Sequence, residues 1–212
     1  MDVVVAGGHG QIGLRLLRLL AERGDRARGL IRNPDHAADL ESAGAEPVLC
    51  DLESEEDVAG FVQGADAVVF AAGAGPGSGP ARKQTVDLGG AVKLIDAARA
   101  NGIARYVIVS AIGANRRERW SEQMKPYYEA KAEADRQVEA SGLDWTIVRP
   151  GRLTDEPGTG RIRAGTDIGY GEVTRDDVAT TLAAVLAAPN TVGKGFDLLE
   201  GETPIEDAVR AL

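Results

Sequence analysis

The segment "KPYYEAK" at 125–131 can set a phenol and an ammonium on one helical face. Tyr127 and Lys131 are four residues apart and Tyr128 and Lys131 are three apart, so either tyrosine can meet the lysine on a helix. A free phenol titrates near pH ~10, too high for a good base at neutral pH, and a neighbouring ammonium stabilises the phenolate. Such a pair can exchange a proton with a substrate oxygen. Helical spacing separates the two tyrosines. Tyr127, Lys131, Ala134 and Val138 form one stripe, and it is the apolar one. Tyr128, Ala132, Asp135 and Glu139 form another that turns polar. Tyr127 is therefore predicted to face inward, and Tyr128 to face water or a partner. A lysine on an inward stripe needs an explanation, because lysine is rarely buried without a partner. The alternative to chemistry is a snorkelling lysine beside a packed tyrosine.

A second constellation is "VVVAGGHGQIGLRLL", with glycines at 7, 8, 10 and 13. Gly8, Gly10 and Gly13 fit G-x-G-x-x-G, and Gly7, Gly10 and Gly13 fit G-x-x-G-x-x-G. The loop follows a predicted strand and opens a predicted helix. An early glycine permits the tight turn, Gly10 lets the backbone approach a pyrophosphate, and Gly13 lets the helix pack on the strand. Free N–H groups at the helix start then face phosphates. The alternative is a glycine-rich turn without a ligand. A site selective for NAD usually has an acid at the end of the second strand. Here that strand ends "LIRNPDH", with Arg32 where the acid would stand. A guanidinium matches a phosphate in charge and geometry, so the expected cofactor is NADP(H), unless Arg32 is only a solvated arginine. Asp51 ends the third strand in "LCDLES". It can accept from an adenine amino group, with Leu52 alongside, or cap a following helix.

The elements that must position these residues alternate. Predicted strands are 2–6, 26–32, 45–51, 65–73, 104–111 and 144–150, with helices over 11–24, 88–102 and about 121–141. Repeated β-α-β predicts a parallel sheet covered on both faces, with right-handed crossovers. The Gly- and Pro-rich stretch 71–82 reads as loop. After Pro150 the rhythm changes. Residues 151–172 read as loop with one short strand, 174–189 as a helix capped by Thr174, 193–201 as a strand, and 204–212 as a helix with Pro204 in its first position.

Composition sets the limits. The 212 residues, 43% apolar, suit one domain, and no apolar run approaches the ~18 residues of a membrane span. One cysteine, Cys50, allows no internal disulfide and fits a reducing cytoplasm. A net charge of −9 argues against nucleic acid and anionic membranes as partners, leaving a small-molecule substrate. Two histidines and one cysteine, not clustered, predict no metal site. No G-x-S-x-G elbow predicts a hydrolase. Homo-oligomerisation stays open.

Together these motifs resemble the short-chain dehydrogenase/reductase superfamily, in particular its atypical NAD(P)H-binding branch, which includes flavin/biliverdin reductase and many proteins assigned as NAD(P)-dependent epimerases/dehydratases. The likeness runs through "GGHGQIG", "LIRNP", "CDL", "VVFAAGAG", "VDLGGAVKLIDAARANGIARYVIVSA", "YYEAKAEADRQVEASGLDWTIVRPG" and "RDDVATTLAAVL". It implies an α/β, Rossmann-like doubly wound parallel sheet with a small C-terminal extension, in a single domain over 1–212 whose 151–212 portion lies on the substrate side. It implies that Gly7, Gly10, Gln11, Ile12 and Gly13 bracket the pyrophosphate and that Arg32 holds the 2′-phosphate. Asp51 and Leu52 would meet the adenine, and Ala71, Ala72 and Gly73 would pass the adenosine ribose. Pro150 and Gly151 would approach the nicotinamide, and Lys131 its ribose. Tyr127 and Lys131 match the family's Tyr-x-x-x-Lys. Its third member, a hydroxyl at the end of the fifth strand, falls on Ser110, followed by Ala111 and Ile112 where other members place the working hydroxyl. Ser110 either orients the substrate oxygen or bonds to its own backbone. The expected function is NADP(H)-dependent hydride transfer with a small carbonyl, quinone or flavin-like substrate. The alternatives are a sugar epimerase/dehydratase-like enzyme, disfavoured because only 62 residues follow the sixth strand, and a non-catalytic NADP(H) redox sensor.

Overall fold

The structure, a computed structural model, describes residues 1–75 and 77–212; Pro76, inside the loop expected over 71–82, lies outside the described residues. The chain runs β1 (Asp2–Ala6), α1 (Gln11–Glu22), β2 (Arg26–Ile31), α2 (Ala37–Ser42), β3 (Glu46–Leu49), α3 (Ala59–Val62) and β4 (Ala67–Phe70). A single turn, α4 (Pro80–Arg82), leads into a π-helix (Lys83–Gly90) and α5 (Ala91–Ala100). Then come β5 (Arg105–Val109), α6 (Lys125–Glu139), β6 (Asp144–Pro150), β7 (Arg152–Thr154), β8 (Arg161–Gly165) and β9 (Glu172–Thr174). The chain closes with α7 (Arg175–Leu186), β10 (Lys194–Glu200), β11 (Thr203–Pro204) and α8 (Ile205–Arg210).

The main sheet has the order β11-β8-β10-β6-β5-β4-β1-β2-β3. From β3 to β10 every pair is parallel, and β8 and β11 add an antiparallel edge. Alternation along the buried strands feeds two cores. Val3 and Val5 point to the face covered by α1, α7 and α8, with Leu16, Leu17, Leu20, Leu182 and Val185. Val4 and Ala6 point to the face covered by α5 and α6, with Leu94, Ala98, Ala134 and Val138. This is the expected doubly wound Rossmann-like architecture with a C-terminal extension. Because β2 and β4 flank β1, the chain reverses direction across the sheet at β1, and ligands bind beyond the strand ends at such a point.

The differences are local. Residues 151–172 hold three short strands and not one, because β7 and β9 pair with each other in a separate two-stranded ribbon and β8 joins the main sheet. Three-residue strands carry too little alternation to show in a sequence. The helix expected over 88–102 starts earlier, as the π-helix. Pro204 stands at the N-cap of α8, one position before the first turn. Thr174 caps α7 as expected, its hydroxyl accepting from the Asp177 N–H at 3.0 Å. Among the described residues no helix is long and apolar enough to cross a membrane.

Candidate functional site

The glycine loop sits at the sheet's reversal. The Gly10 N–H donates to the Gly7 carbonyl at 2.8 Å, and Gly7 holds φ +83°, which favours glycine. A Cβ on Gly7 would lie 2.8 Å from the Ala72 backbone, and one on Gly13 only 2.2 Å from the Gly7 oxygen. The loop is therefore pressed between β4 and α1 with no room for side chains. The N-cap of α1 is Gly10, no side chain caps it, and its first turn carries no acid. The N–H groups of Gln11 and Ile12 are thus left for an outside acceptor, which is what a pyrophosphate requires. Beside them opens a cavity of about 350 Å³ lined by His9, Gln11, Arg15 and Arg18 among others. Arg15 is held there, its Nε donating to Asp176 Oδ1 at 2.6 Å and its Nη1 to Gln11 Oε1 at 2.7 Å. The His9 ring stacks on His36 at 3.6 Å.

At the end of β2, the exposed Arg32 lies 3.5 Å from Glu53 Oε2. Glu53 also binds Arg82 at 3.0 Å and the Thr85 hydroxyl at 2.9 Å. Asp51 accepts from the Glu53 N–H at 3.0 Å and shapes a turn; no helix follows until α3, so it is not a helix cap. Leu52 is buried, and the Lys93 ammonium grips its carbonyl at 2.8 Å. Ala71, Ala72 and Gly73 run past the glycine loop from β4, with Ala71 and Ala72 half-buried and Gly73 exposed.

Helix α6 carries both Tyr127 and Lys131. Ala134 and Val138 are fully buried on its inward stripe, and Lys131 is buried with them. The partner that this lysine requires is Asp87 of the π-helix, also buried, with Nζ and Oδ1 3.1 Å apart. Lys131 also donates to the Val109 carbonyl at 3.2 Å, and the second Asp87 oxygen accepts from the Ala74 N–H at 3.2 Å. Tyr127 is half-buried one turn earlier. Burial pushes its phenol above the ordinary value; Lys131 pulls it down, and Asp87 and Asp135 oppose that pull. The phenol therefore stays protonated at neutral pH.

Two placements differ from expectation. Asp135 does not face water. It is buried against Arg149 at 2.9 Å, and burial pushes its carboxyl up against the opposing pull of Arg149, Ser110 and Lys131. Tyr128, above it on the same stripe, faces a cavity and stacks on Trp120 at 5.7 Å. Ser110 is buried behind β5 beside Asp135, and its N–H donates to the Val148 carbonyl at 2.8 Å. It is not on the cavity wall, where Ala111 and Ile112 stand instead.

That cavity measures about 400 Å³ and is walled by Ala111, Ile112, Tyr127, Tyr128, Pro150, Gly151, Tyr170 and the 171–172 backbone region. Its far wall is the β7–β9 ribbon. A Cβ on Gly151 would lie 2.4 Å from the Gly171 oxygen, so the ribbon closes only over glycine. The segment after β5 is tied to the same wall by the buried Arg116, which binds Asp197 of β10 and, at 3.1 Å, Asp167. The Trp120 indole N–H donates to the Gly113 carbonyl at 2.8 Å. The structure thus brings Tyr127, Pro150 and Gly151 onto one cavity with Lys131 beneath them.

Sequence reasoning missed Asp87, Lys83, Trp120 and Tyr170. Asp87 had a signal. Asp87, Ala91, Leu94 and Ala98 follow helical spacing on an apolar stripe, so an acid stood inward there just as a lysine did on α6. Trp120 and Tyr170 lie in segments whose path is set by Arg116 and by glycine contacts, which no periodicity reports.

A doubly wound sheet with an uncapped glycine-loop helix at its reversal point defines a dinucleotide-binding α/β protein of the atypical short-chain dehydrogenase/reductase type. Residues 7–189 match the family model described as NAD(P)H-binding, and the chain belongs to that family. It is 48% identical, over 100% of both chains, to the uncharacterized sugar epimerase YhfK of Bacillus subtilis (strain 168). It also resembles a Bacillus halodurans protein provisionally named an NAD-dependent epimerase/dehydratase, with TM-score 0.95, 37% identity and 100% of both chains covered. ChuY, an anaerobillin reductase from Escherichia coli O157:H7, superimposes with TM-score 0.82 at 25% identity, covering 95% of this chain and 98% of that one.

Proposed function

We propose that the protein is an NADP(H)-dependent reductase of a small carbonyl, quinone or flavin-like acceptor, with Tyr127 as proton donor. The observation that carries this reading is Tyr127 on the cavity wall, its phenol held protonated, with the Lys131–Asp87 pair beneath it. The bound cofactor supplies the hydride. Gln11 and Ile12 hold its pyrophosphate through their N–H groups, and Arg32 holds the 2′-phosphate. Asp51 and Leu52 border the adenine, Ala71, Ala72 and Gly73 the adenosine ribose, and Pro150 and Gly151 the reacting ring. Tyr127 donates its proton to the acceptor oxygen as that oxygen gains charge, and solvent returns the proton. A phenol above its ordinary value is fully protonated at neutral pH and so is present as a donor, but a weak one unless a cation stabilises the phenolate it leaves. Ser110 is assigned no step in this reading, because it is buried and does not line the cavity, whose wall there is Ala111 and Ile112.

A second reading, sugar epimerisation, is favoured by the name of the Bacillus subtilis relative. It needs a base to withdraw a proton, and burial with Asp87 and Asp135 holds Tyr127 above its ordinary value despite the pull of Lys131, which disfavours that role. The two separate in one assay. The purified protein should oxidise NADPH in the presence of a carbonyl, quinone or flavin panel. Redistribution of nucleotide-sugar epimers with no net NADPH consumption would replace the reductase with the epimerase. Stable cofactor binding with neither reaction would leave a sensor.

The cofactor preference has its own test. A charge-assisted contact between Arg32 and the 2′-phosphate contributes about 1.5–3 kcal/mol, or roughly ten- to a hundredfold in affinity. Calorimetric titration should show NADPH bound that much tighter than NADH, with Arg32→Ala removing most of the difference. Equal affinities in the native protein would reverse the assignment. Glu53, 3.5 Å from Arg32, sets a competing acid beside the phosphate position, so the preference should sit toward the lower end of that range.

A further inference from the structure

Tyr127 has a second cation beside it. The Lys83 ammonium stands over its ring, 5.3 Å from the centroid. Lys83 opens the π-helix, and Asp87 lies on that same helix, four residues on. The two lysines differ in what else they touch. Lys131 is buried and bound to the Asp87 carboxylate at 3.1 Å, so its charge is compensated where it sits. Lys83 is half-buried; among the described residues no carboxylate is in ion-pair contact with it, and its polar neighbour is the Ser78 hydroxyl at 3.4 Å. The residue before it, Arg82, is drawn to Glu53, which anchors the start of the π-helix away from Tyr127. The groups acting on Tyr127 are then Lys83 and Asp87 from the π-helix, and Lys131, Asp135 and Tyr128 from α6.

We propose that Lys83 is a positioning residue for the proton donor, supplying at the Tyr127 ring an uncompensated positive charge that adds to the pull of Lys131, which Asp87 partly offsets. The inference rests on the reading of Tyr127 as that donor. A cation over an aromatic face is attracted by the ring, and the attraction grows when the phenol loses its proton, because phenolate charge spreads into the ring. Lys83 therefore stabilises Tyr127 most in the state left after proton donation. Its contact with the Ser78 hydroxyl holds this charge beside Tyr127. Asp87 acts in the opposite sense. It masks Lys131 and holds the phenol up.

The test is titration of Tyr127 in cofactor-free protein, followed by NMR of tyrosine labelled at the ring carbon bearing the hydroxyl and assigned through Tyr127→Phe. Lys83→Gln should move the Tyr127 titration to higher pH, and Lys83→Arg should restore it. Asp87→Asn should move it to lower pH. In turnover of a carbonyl, Lys83→Gln should lower kcat about tenfold with KM little changed, as expected for loss of one partly screened charge near the reacting proton. A folded Lys83→Gln protein with native Tyr127 titration overturns the proposal, whatever becomes of Asp87→Asn. The underlying reading fails separately. If Tyr127→Phe reduces the carbonyl at the native rate while Lys83→Gln still moves the titration, the charge arrangement stands and the donor role does not.

Discussion

Tyr127→Phe is expected to lower carbonyl reduction by about 10²–10⁴ while leaving folding and cofactor affinity near native. The substitution removes one hydroxyl from a side chain that is half-buried and packed against Tyr128 at 5.4 Å, and it removes no hydrophobic contact. The pH profile adds a second signature. Burial holds the phenol above its ordinary value of 10.0, so the native enzyme should keep its donor throughout the neutral and mildly alkaline range. Its rate should fall only above pH 10, and that limb should vanish in Tyr127→Phe. Flavin acceptors can take hydride with little help from a protein acid, so the comparison needs a carbonyl. Native-rate carbonyl reduction by Tyr127→Phe would reduce the pair in "YYEAK" to packing.

Tyr128, one residue on, is not inert. Its ring lines the cavity and stacks on Trp120, so Tyr128→Phe should alter KM more than kcat. The buried Asp135 is the departure from what helical spacing predicts. Tyr128, Ala132, Asp135 and Glu139 do form a stripe, but a polar stripe can face a protein interior when that interior supplies partners. Arg149 supplies one for Asp135, and the cavity takes Tyr128. The doubly wound core was legible because its strands are short apolar runs alternating with helices that obey a clear period. The glycine loop was legible because close backbone approach leaves only glycine, and the clash distances at Gly7 and Gly13 show the same constraint in space. What escaped were contacts between residues distant in sequence: Arg116 with Asp197, Gly151 with Gly171, and Lys131 with Asp87. Each is fixed by how the C-terminal ribbon or the π-helix docks, and local spacing carries no record of docking. Lys131 shows the boundary well. Its need for a partner could be read from the sequence, but the identity of the partner could not.

That partner makes Lys131 the site of the second large effect. Lys131→Met leaves the Asp87 carboxylate buried with only the Ala74 N–H to satisfy it, and removing one member of a buried ion pair costs about 3–5 kcal/mol. Chemical denaturation should show that loss as a lower midpoint. The double variant Lys131→Met/Asp87→Leu should regain most of it, because neither charge is then stranded. Burial opposes the charged lysine, but Tyr127 and the Asp87 carboxylate together hold it above its ordinary value of 10.5 in the folded state. Its contribution is therefore fully present below pH 10.5 and is lost only as pH rises through the higher folded value, so native and Lys131→Met stabilities should converge only in strong alkali. Function should not return with stability. The Lys131 ammonium has three N–H donors; Asp87 and the Val109 carbonyl take two, and the third is available to a ribose hydroxyl. The double variant should fold, bind NADPH more weakly than native, and turn over slowly. If it binds and reduces at native levels, the lysine serves only to balance Asp87, and the chemistry of the site belongs to Tyr127 and the charges that remain around it.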